Sequence, residues 1–465
     1  MPVSEVVFPR SPDGRRSSAE LGRAVVADAL RPVDPAAADA AAGEADWRRG
    51  YLRHFRALVE AGLRSEPAAY EIAAAGLASM RDRMRTADDR SLAEALDDDG
   101  GRPLETVEVT GSGTAQREVA LPYRGELLRG AALDRRLDGW VRAGTVEPSC
   151  AEAVREVAAH PDWLDLSDQR LVVLGAGAEM GPLPAVLGWG GTVLGVDLPR
   201  PELWRRVYGI AEKSAGRLSA VGADLLGEMP AVARWILGHQ GRLVLGDYVY
   251  APGAAYARLA AAVDALTEYV ARRRPDTAIA KLATPTDVFA VPGEAVAQAT
   301  DRWRRRPRRA RMTHRLSGGR LLRPNYPAVA EPGVCDSLVA QQGPNYALAK
   351  RLQRWRATVG RRDGVVGFSV APPTRTRSVM GNRLLAAAYA GAHLFDVEVF
   401  EPATANTLMA VLLVHQLRNP RPAGGPVWTD EAYAAAHGGL WRTAYEPRTA
   451  LGLAAVRGLP TAVRR

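Results

Sequence analysis

Cysteine is nearly absent: Cys150 and Cys335 are the only two in 465 residues. Two thiols so far apart cannot make a disulfide framework, which excludes the small stapled secreted classes. Long apolar runs are missing too. The best stretch, Thr407 to Val414, falls far short of the roughly eighteen residues a membrane-spanning helix needs, so no membrane partner is expected. The opening MPVSEVVFPRSPDGRR lacks the basic-then-apolar order of a secretion signal. A cytoplasmic location is the expectation. The seven histidines show no metal-ligand spacing, and no metal site is expected. Lysine occurs only at Lys213, Lys281 and Lys350, although Lys and Arg together number 61. Arginine serves wherever a generic cation will do. The few lysines therefore carry more information, since they titrate and hydrogen-bond differently.

What is present points to a sizeable globular chain. The length suggests two domains, or one large domain with additions, and a hydrophobic fraction of 47% suffices for a core. The net charge of +9 is concentrated at Arg304, Arg305, Arg306, Arg308, Arg309 and Arg311. No interleaved aromatics of an RNA-binding signature accompany that run, so nucleic acid is not expected as a partner. The run reads as a solvated surface or as a landing site for an anionic substrate or partner.

Residues 1–165 read as a mostly helical N-terminal domain without a chemical motif. Residues 1 to about 45 look like a partly ordered arm. From Trp47 to Arg85 apolar residues fall at helical spacing, and two further helical patterns run over Ala132–Ala143 and Cys150–Ala159. Thr106–Val109 and Val119–Pro122 read as short strands around the turn Gly111-Ser112-Gly113. At Leu171 the character changes. Short apolar strands at Leu171–Leu174, Thr192–Val196, Leu218–Val221, Arg242–Leu245, Thr277–Leu282 and Val365–Val370 alternate with helices, the pattern of a doubly wound parallel sheet. The fold class is α/β, with a Rossmann-type domain over 166–425, an Arg- and Pro-rich insertion at 292–343 and a tail at 426–465.

The first of these strands runs into Gly175-Ala176-Gly177-Ala178-Glu179-Met180-Gly181. Glycines here let the chain turn sharply and let its backbone approach a phosphate or ribose, while the next helix offers its N-terminal N–H groups. Asp197 closes the second strand, where an acid can accept hydrogen bonds from ribose hydroxyls. Asp224 and Leu225 follow the third, beside an adenine position. Candidate cofactor-binding residues are thus Gly175, Gly177, Met180, Gly181, Asp197, Asp224 and Leu225. Nicotinamide dinucleotides and S-adenosylmethionine both fit such a loop.

Further along, Tyr346 and Lys350 stand four apart at the start of a helix and so share one face. A nearby ammonium favours tyrosinate, lowering the tyrosine pKa toward a working range for proton transfer. Lys281 lies in an apolar strand, and reads either as a buried functional lysine or as one snorkelling from a strand end.

With VLGAGAEMG (173–181), VDL (196–198), ADL (223–225), IAKLAT (279–284), YALAK (346–350) and VAPPTRT (370–376), the segment from about 170 to 420 resembles the short-chain dehydrogenase/reductase family. In the family's glycine turn, Leu174 here replaces a threonine and Glu179 a glycine, and Gly181 is kept. The family's Asn-Asn-Ala-Gly reads Leu245-Gly246-Asp247-Tyr248, and about fifty extra residues separate Thr284 from Tyr346. The resemblance implies an NAD- or NADP-dependent oxidoreductase moving a hydride between nicotinamide and a carbonyl or alcohol. Tyr346 would be its acid/base, Lys350 would lower the Tyr346 pKa and hold the nicotinamide ribose, Thr284 would orient the carbonyl oxygen, and Thr376 would contact the cofactor. Asp197 favours NAD, and Arg200 keeps NADP open. The partner implied is a small molecule, anionic or carrier-bound if the arginine run serves it, and assembly into homo-oligomers through the Tyr/Lys helix. The rival readings are an S-adenosylmethionine-dependent methyltransferase, whose sheet would end in an antiparallel strand, and a nucleotide-binding protein without catalysis.

Overall fold

The computed structural model describes residues 5–11, 13–98, 102–327, 330–422 and 424–462. Residues 1–4 and 12 of the N-terminal arm, 99–101, 328–329 of the insertion, 423, and 463–465 of the tail lie outside the described residues. Seven strands form the central sheet: β1 (Thr106–Thr110), β2 (Gln169–Leu174), β3 (Thr192–Asp197), β4 (Arg217–Gly222), β5 (Arg242–Asp247), β6 (Ala278–Ala283) and β7 (Val366–Val370). Their order is β7-β6-β5-β2-β3-β4-β1. Strands β2 to β7 are mutually parallel. This is an α/β architecture compatible with a Rossmann-like fold. Along β2, Val172 and Leu174 enter one core while Leu171 and Val173 enter the other, the period of two expected of a strand covered on both faces.

The chain winds from β2 outward to β4, then returns to β5 on the other side of β2. A crevice opens at such a switch point because the connections leave in opposite directions. Helices Met229–Leu237, Ala254–Arg273 and Gly343–Gly360 cover one face. Helices Gly130–Ala143, Pro148–Ala159, Leu183–Gly188, Pro201–Lys213 and Pro402–Arg418 cover the other.

The N-terminal region departs from its sequence reading in three ways. Among its described residues the arm is folded: Ser18–Leu30 is a helix capped by the Ser17 side chain, and Leu21, Val25, Val26 and Leu30 are buried. Their helical spacing was masked by the surrounding Ala, Asp and Arg. Second, helices Ser18–Leu30, Trp47–Gly62 and Ala68–Arg83 share a single hydrophobic core with the first sheet face. Third, β1 does not form a hairpin with residues 119–122. It extends the sheet antiparallel to β4, while Leu121–Tyr123 pairs with Glu126–Leu128. The turn between those two has Arg124 and Gly125 both at positive φ, the geometry that two-residue hairpins favour. The sheet is therefore not parallel throughout, and the antiparallel member sits on the β4 edge.

The insertion is folded. Val288–Val291 pairs antiparallel with Gly333–Asp336, and helices Gly293–Arg304 and Arg308–Leu316 lie between them. In the tail, Pro447–Ala462 packs on Arg383–Gly391, with Gly391 and Gly458 at the crossing where a Cβ would strike backbone. Among the described residues no helix is long and apolar enough to cross a membrane.

The N-terminal helices close on the helix Gly343–Gly360. Gly76 faces the Trp355 ring with no room for a Cβ, and residues 347–349 and 351–357 of that helix are all buried. The face through which the family resemblance implies assembly is thus occupied by the chain's own N-terminal helices. Gly76→Val is expected to destabilise by about 1–3 kcal/mol through overpacking, read as a lower midpoint in urea unfolding. An unchanged midpoint would mean that the Ala68–Arg83 helix does not seat on Trp355.

Candidate active-site cleft

A cleft of about 1600 Å³ spans the carboxyl ends of the parallel strands, straddling the switch point between β2 and β5. Of the residues singled out from the sequence, Gly175, Gly177, Met180, Asp197, Asp224, Leu225, Thr284, Tyr346, Lys350 and Thr376 all line it. Gly181 does not. It is buried behind the loop, with its N–H donating to the Ala178 carbonyl, and a Cβ there would meet only ordinary contacts.

The glycine loop is shaped by its neighbours. Gly175 has φ +90, and a Cβ on it would lie 2.9 Å from the Tyr248 backbone, so only glycine fits. The Gly177 N–H donates to Asp197 Oδ2 at 2.8 Å, and the Leu198 N–H to Oδ1 at 2.8 Å. Asp197 was expected to face a ribose; here each of its oxygens already holds a backbone amide. Burial pushes its carboxyl above the usual range, against those two amides and the charges of Arg200 and Arg206. Arg206 Nη2 donates to the Gly177 carbonyl at 2.7 Å.

The helix after the loop differs from expectation. It covers only Leu183–Gly188, and Pro182 and Pro184 remove two N–H groups from its start. Anion binding would rest on the loop instead. At its tip the Glu179 and Met180 amides donate to no acceptor among the described residues. The Glu179 carboxylate, unwelcome near phosphates on its own, is tied down: it accepts the Arg377 N–H at 2.7 Å and pairs with Arg377 Nε at 3.2 Å.

At the other end stands the helix Gly343–Gly360. Tyr346 and Lys350 share its cleft-facing side, but they do not act as the sequence suggests. Burial pushes the Tyr346 phenol up to about 12. The nearby Thr284 hydroxyl, itself paired with the Thr286 hydroxyl at 2.9 Å, draws it back, and Tyr250 and Asp287 push it further up. The Lys350 charge is not among the influences on it. Lys350 Nζ instead donates to the Leu282 carbonyl at 3.2 Å and to Gln353 Oε1 at 2.8 Å. Loss of water at the cleft floor lowers its ammonium to about 8, with Asp247 opposing that and Lys281 reinforcing it. Thr284 and Tyr346 line the same cleft, as the resemblance implied, whereas the tyrosine-lowering role of Lys350 is not seen.

Lys281 is buried rather than snorkelling. Its Nζ donates to Asp247 Oδ2 at 3.0 Å, with side-chain exposures of 1% and 2%. The two residues are register partners on β6 and β5, so the pair is built into the strand ends beneath the cleft. The sequence flagged the lysine but not its acid; Asp247 closes β5 and Lys281 lies two residues from the end of the adjacent parallel strand, and that was the available signal. It also missed Tyr250, Tyr256 and Tyr389, which wall the cleft beside Tyr346. The Arg304–Arg311 run does not line it. Its members ride on the insertion helices, mostly exposed, with Arg306 stacked 3.6 Å over Trp303.

Behind the site, Asp287 accepts from Arg351 at 2.8 Å and Arg354 at 2.7 Å, and Arg354 also pairs with Glu431 at 2.7 Å. Burial raises the Asp287 carboxyl, but the two guanidiniums outweigh it and hold the acid below its usual range. Removing a partner from a buried ion cluster leaves uncompensated charge, so Asp287→Asn is expected to destabilise by about 3–5 kcal/mol in denaturant titration.

The sign for Lys350 runs the other way. Folded, it releases its proton near 8, whereas the unfolded chain holds it to the ordinary 10.5. The unfolded state therefore binds more protons between those values, and stability rises with pH across that window. Lys350→Met should remove this rise: the wild type gains on the variant between pH 8 and 10.5 in paired unfolding curves. Parallel curves would contradict the lowered ammonium. Compared with known proteins, the chain matches no family model, and no curated protein is significantly similar to it.

Proposed function

We propose that this chain is an NAD- or NADP-dependent reductase of the short-chain dehydrogenase kind, acting on a small carbonyl substrate. The observation that carries the reading is convergence. A loop whose turn at Gly175 only glycine can form, and the Thr284 and Tyr346 hydroxyls, line one cleft across the strand switch point. The sheet does end in an antiparallel strand, but that strand is β1 of the N-terminal region on the β4 edge, whereas β7 pairs parallel with β6, and this supports the reductase over a methyltransferase.

The residues fit a dinucleotide. Gly175 gives the sharp turn, the free Glu179 and Met180 amides suit a pyrophosphate, and Arg206 and Arg377 supply positive charge beside them. With both Asp197 oxygens engaged by amides and Arg200 beside it, a 2′-phosphate meets less repulsion than a free carboxylate would impose. NADP is therefore accepted alongside NAD. Bound and reduced, the nicotinamide supplies a hydride to the carbonyl carbon. Tyr346 keeps its proton far beyond neutral pH, so it serves as the acid, giving that proton to the carbonyl oxygen. Thr284 positions the same oxygen. That protonated form is the one the reduction direction needs near pH 7.

The test pairs binding with chemistry. Both reduced dinucleotides should raise the melting temperature of the wild type and of Tyr346→Phe, since a ligand that binds only the folded state must stabilise it. Tyr346→Phe should lower kcat by about a hundredfold or more. Stabilisation by S-adenosylmethionine alone would overturn the reading. Dinucleotide binding with no reduction of any carbonyl would leave a nucleotide-binding protein without catalysis.

A further inference from the structure

The two ends of the cleft differ in chemistry. Three of the arginines that line it belong to the glycine-loop end: Arg206 bonds the Gly177 carbonyl, Arg377 pairs with Glu179, and Arg200 acts on Asp197. The fourth, Arg48, is exposed on an N-terminal helix. Past Thr284 the wall is tyrosine. The rings of Tyr250 and Tyr256 stand 5.4 Å apart at 64°, Tyr256 and Tyr346 5.6 Å apart at 50°, and Tyr250 and Tyr346 6.5 Å apart at 64°. Tyr389 completes this end from the helix Arg383–Gly391, close enough that Tyr346 acts on it.

Three features make this end a binding surface rather than a piece of core. Tyr250 is 55% exposed although its ring edges two others, so a large apolar face is left for a ligand to cover. The Tyr256 hydroxyl is buried without a hydrogen bond of good geometry; Gln353 is last among the influences on it. A buried polar group left so is unfavourable until an acceptor reaches it. Among the described residues at this floor, the Lys281 charge is cancelled by Asp247 and two of the three Lys350 N–H groups are taken by Leu282 and Gln353, which leaves little to compensate a desolvated carboxylate or phosphate.

We propose that the tyrosine-lined end binds a neutral, planar, conjugated carbonyl compound, an aryl ketone or quinone, with its ring set against Tyr250 and its second polar atom toward the Tyr256 hydroxyl. Aromatic rings pack favourably at centroid spacings of about 4.5–7 Å, edge-to-face or offset, and the three tyrosines already hold one another in that range. The proposal rests on the reductase reading for the fate of the carbonyl, but the subsite itself needs no cofactor. An anionic or carrier-bound substrate, which the arginine run suggested, has no partner here, because that run lies elsewhere.

The experiment is equilibrium binding to the full chain without cofactor, using 2-acetylnaphthalene and its anionic counterpart 2-naphthoate, followed by calorimetry. The ketone should bind, and the carboxylate should bind about tenfold or more weakly. Tyr250→Ala should weaken the ketone by about tenfold while the melting-temperature gain from reduced dinucleotide stays as in the wild type. Because Tyr250 is half-exposed, this variant should fold, and the retained dinucleotide response reports that it has. Tyr256→Phe should weaken 6-methoxy-2-acetylnaphthalene, which carries a second acceptor, while leaving 2-acetylnaphthalene, which has none, unaffected. The proposal is overturned if the carboxylate binds as well as the ketone, if the ketone does not bind, or if Tyr250→Ala leaves its affinity unchanged. Ketone binding with these losses, but no dinucleotide stabilisation, would sustain the aromatic subsite and sink the reductase reading.

Discussion

Enclosure of the helix Gly343–Gly360 is the constraint on which the site depends. Most catalytic-looking helices keep one face in water; this one is wrapped by the sheet, the helix Ala254–Arg273, the insertion and the N-terminal helices. Yet it carries Lys350, Arg351, Gln353, Arg354 and Arg356, the arginines being buried. Buried charges persist only where each finds a partner. Arg356 is held by Asp264 and Glu268 of the neighbouring helix, Arg354 by Asp287 and Glu431, Arg351 by Asp287. Those four acids come from three distant parts of the chain. Neutralising one helix therefore fixes the mutual placement of the insertion, the tail and the sheet face.

That arrangement gives the N-terminal helices a role. They take the surface through which the family resemblance would have the molecule assemble, and they share its core. Trp355 in the Gly76 notch and the Asp264–Arg356 pair lock the helix on two neighbouring faces. Tyr346, at its first turn, is then held against Thr284 at the end of β6 by a rigid support, which is what proton donation from a fixed position requires.

At the cleft floor the same economy of partners recurs. Asp247 and Lys281, in register on adjacent strands, cancel each other where the glycine loop and the tyrosines meet. The pair lets one end of the cleft be rich in arginine and the other aromatic without a stray charge between them. A dinucleotide needs the first environment and a neutral ring the second, so the polarity of the cleft follows its proposed reaction axis.

The sequence by itself determined the six parallel strands and their order of appearance, because apolar runs broken by helical periods can bury both faces in only one way. It also located the glycine turn, Asp197, Asp224, Thr284 and Tyr346, since residues at the carboxyl ends of such strands are carried to one edge. Direction of side chains was not legible. Whether Lys350 turned to the phenol or to Leu282 depended on which acceptors the packing left within reach. So did the pairing of Lys281, the burial of Leu21 and Val25 in what reads as an arm, and the capture of β1 by β4. The meeting of Tyr250, Tyr256, Tyr346 and Tyr389 spans 140 residues of chain, and nothing local to any of them encodes it. Only the tertiary structure decided these, because each is settled by competition among partners far apart in sequence, and that competition exists only once the sheet and its layers have closed.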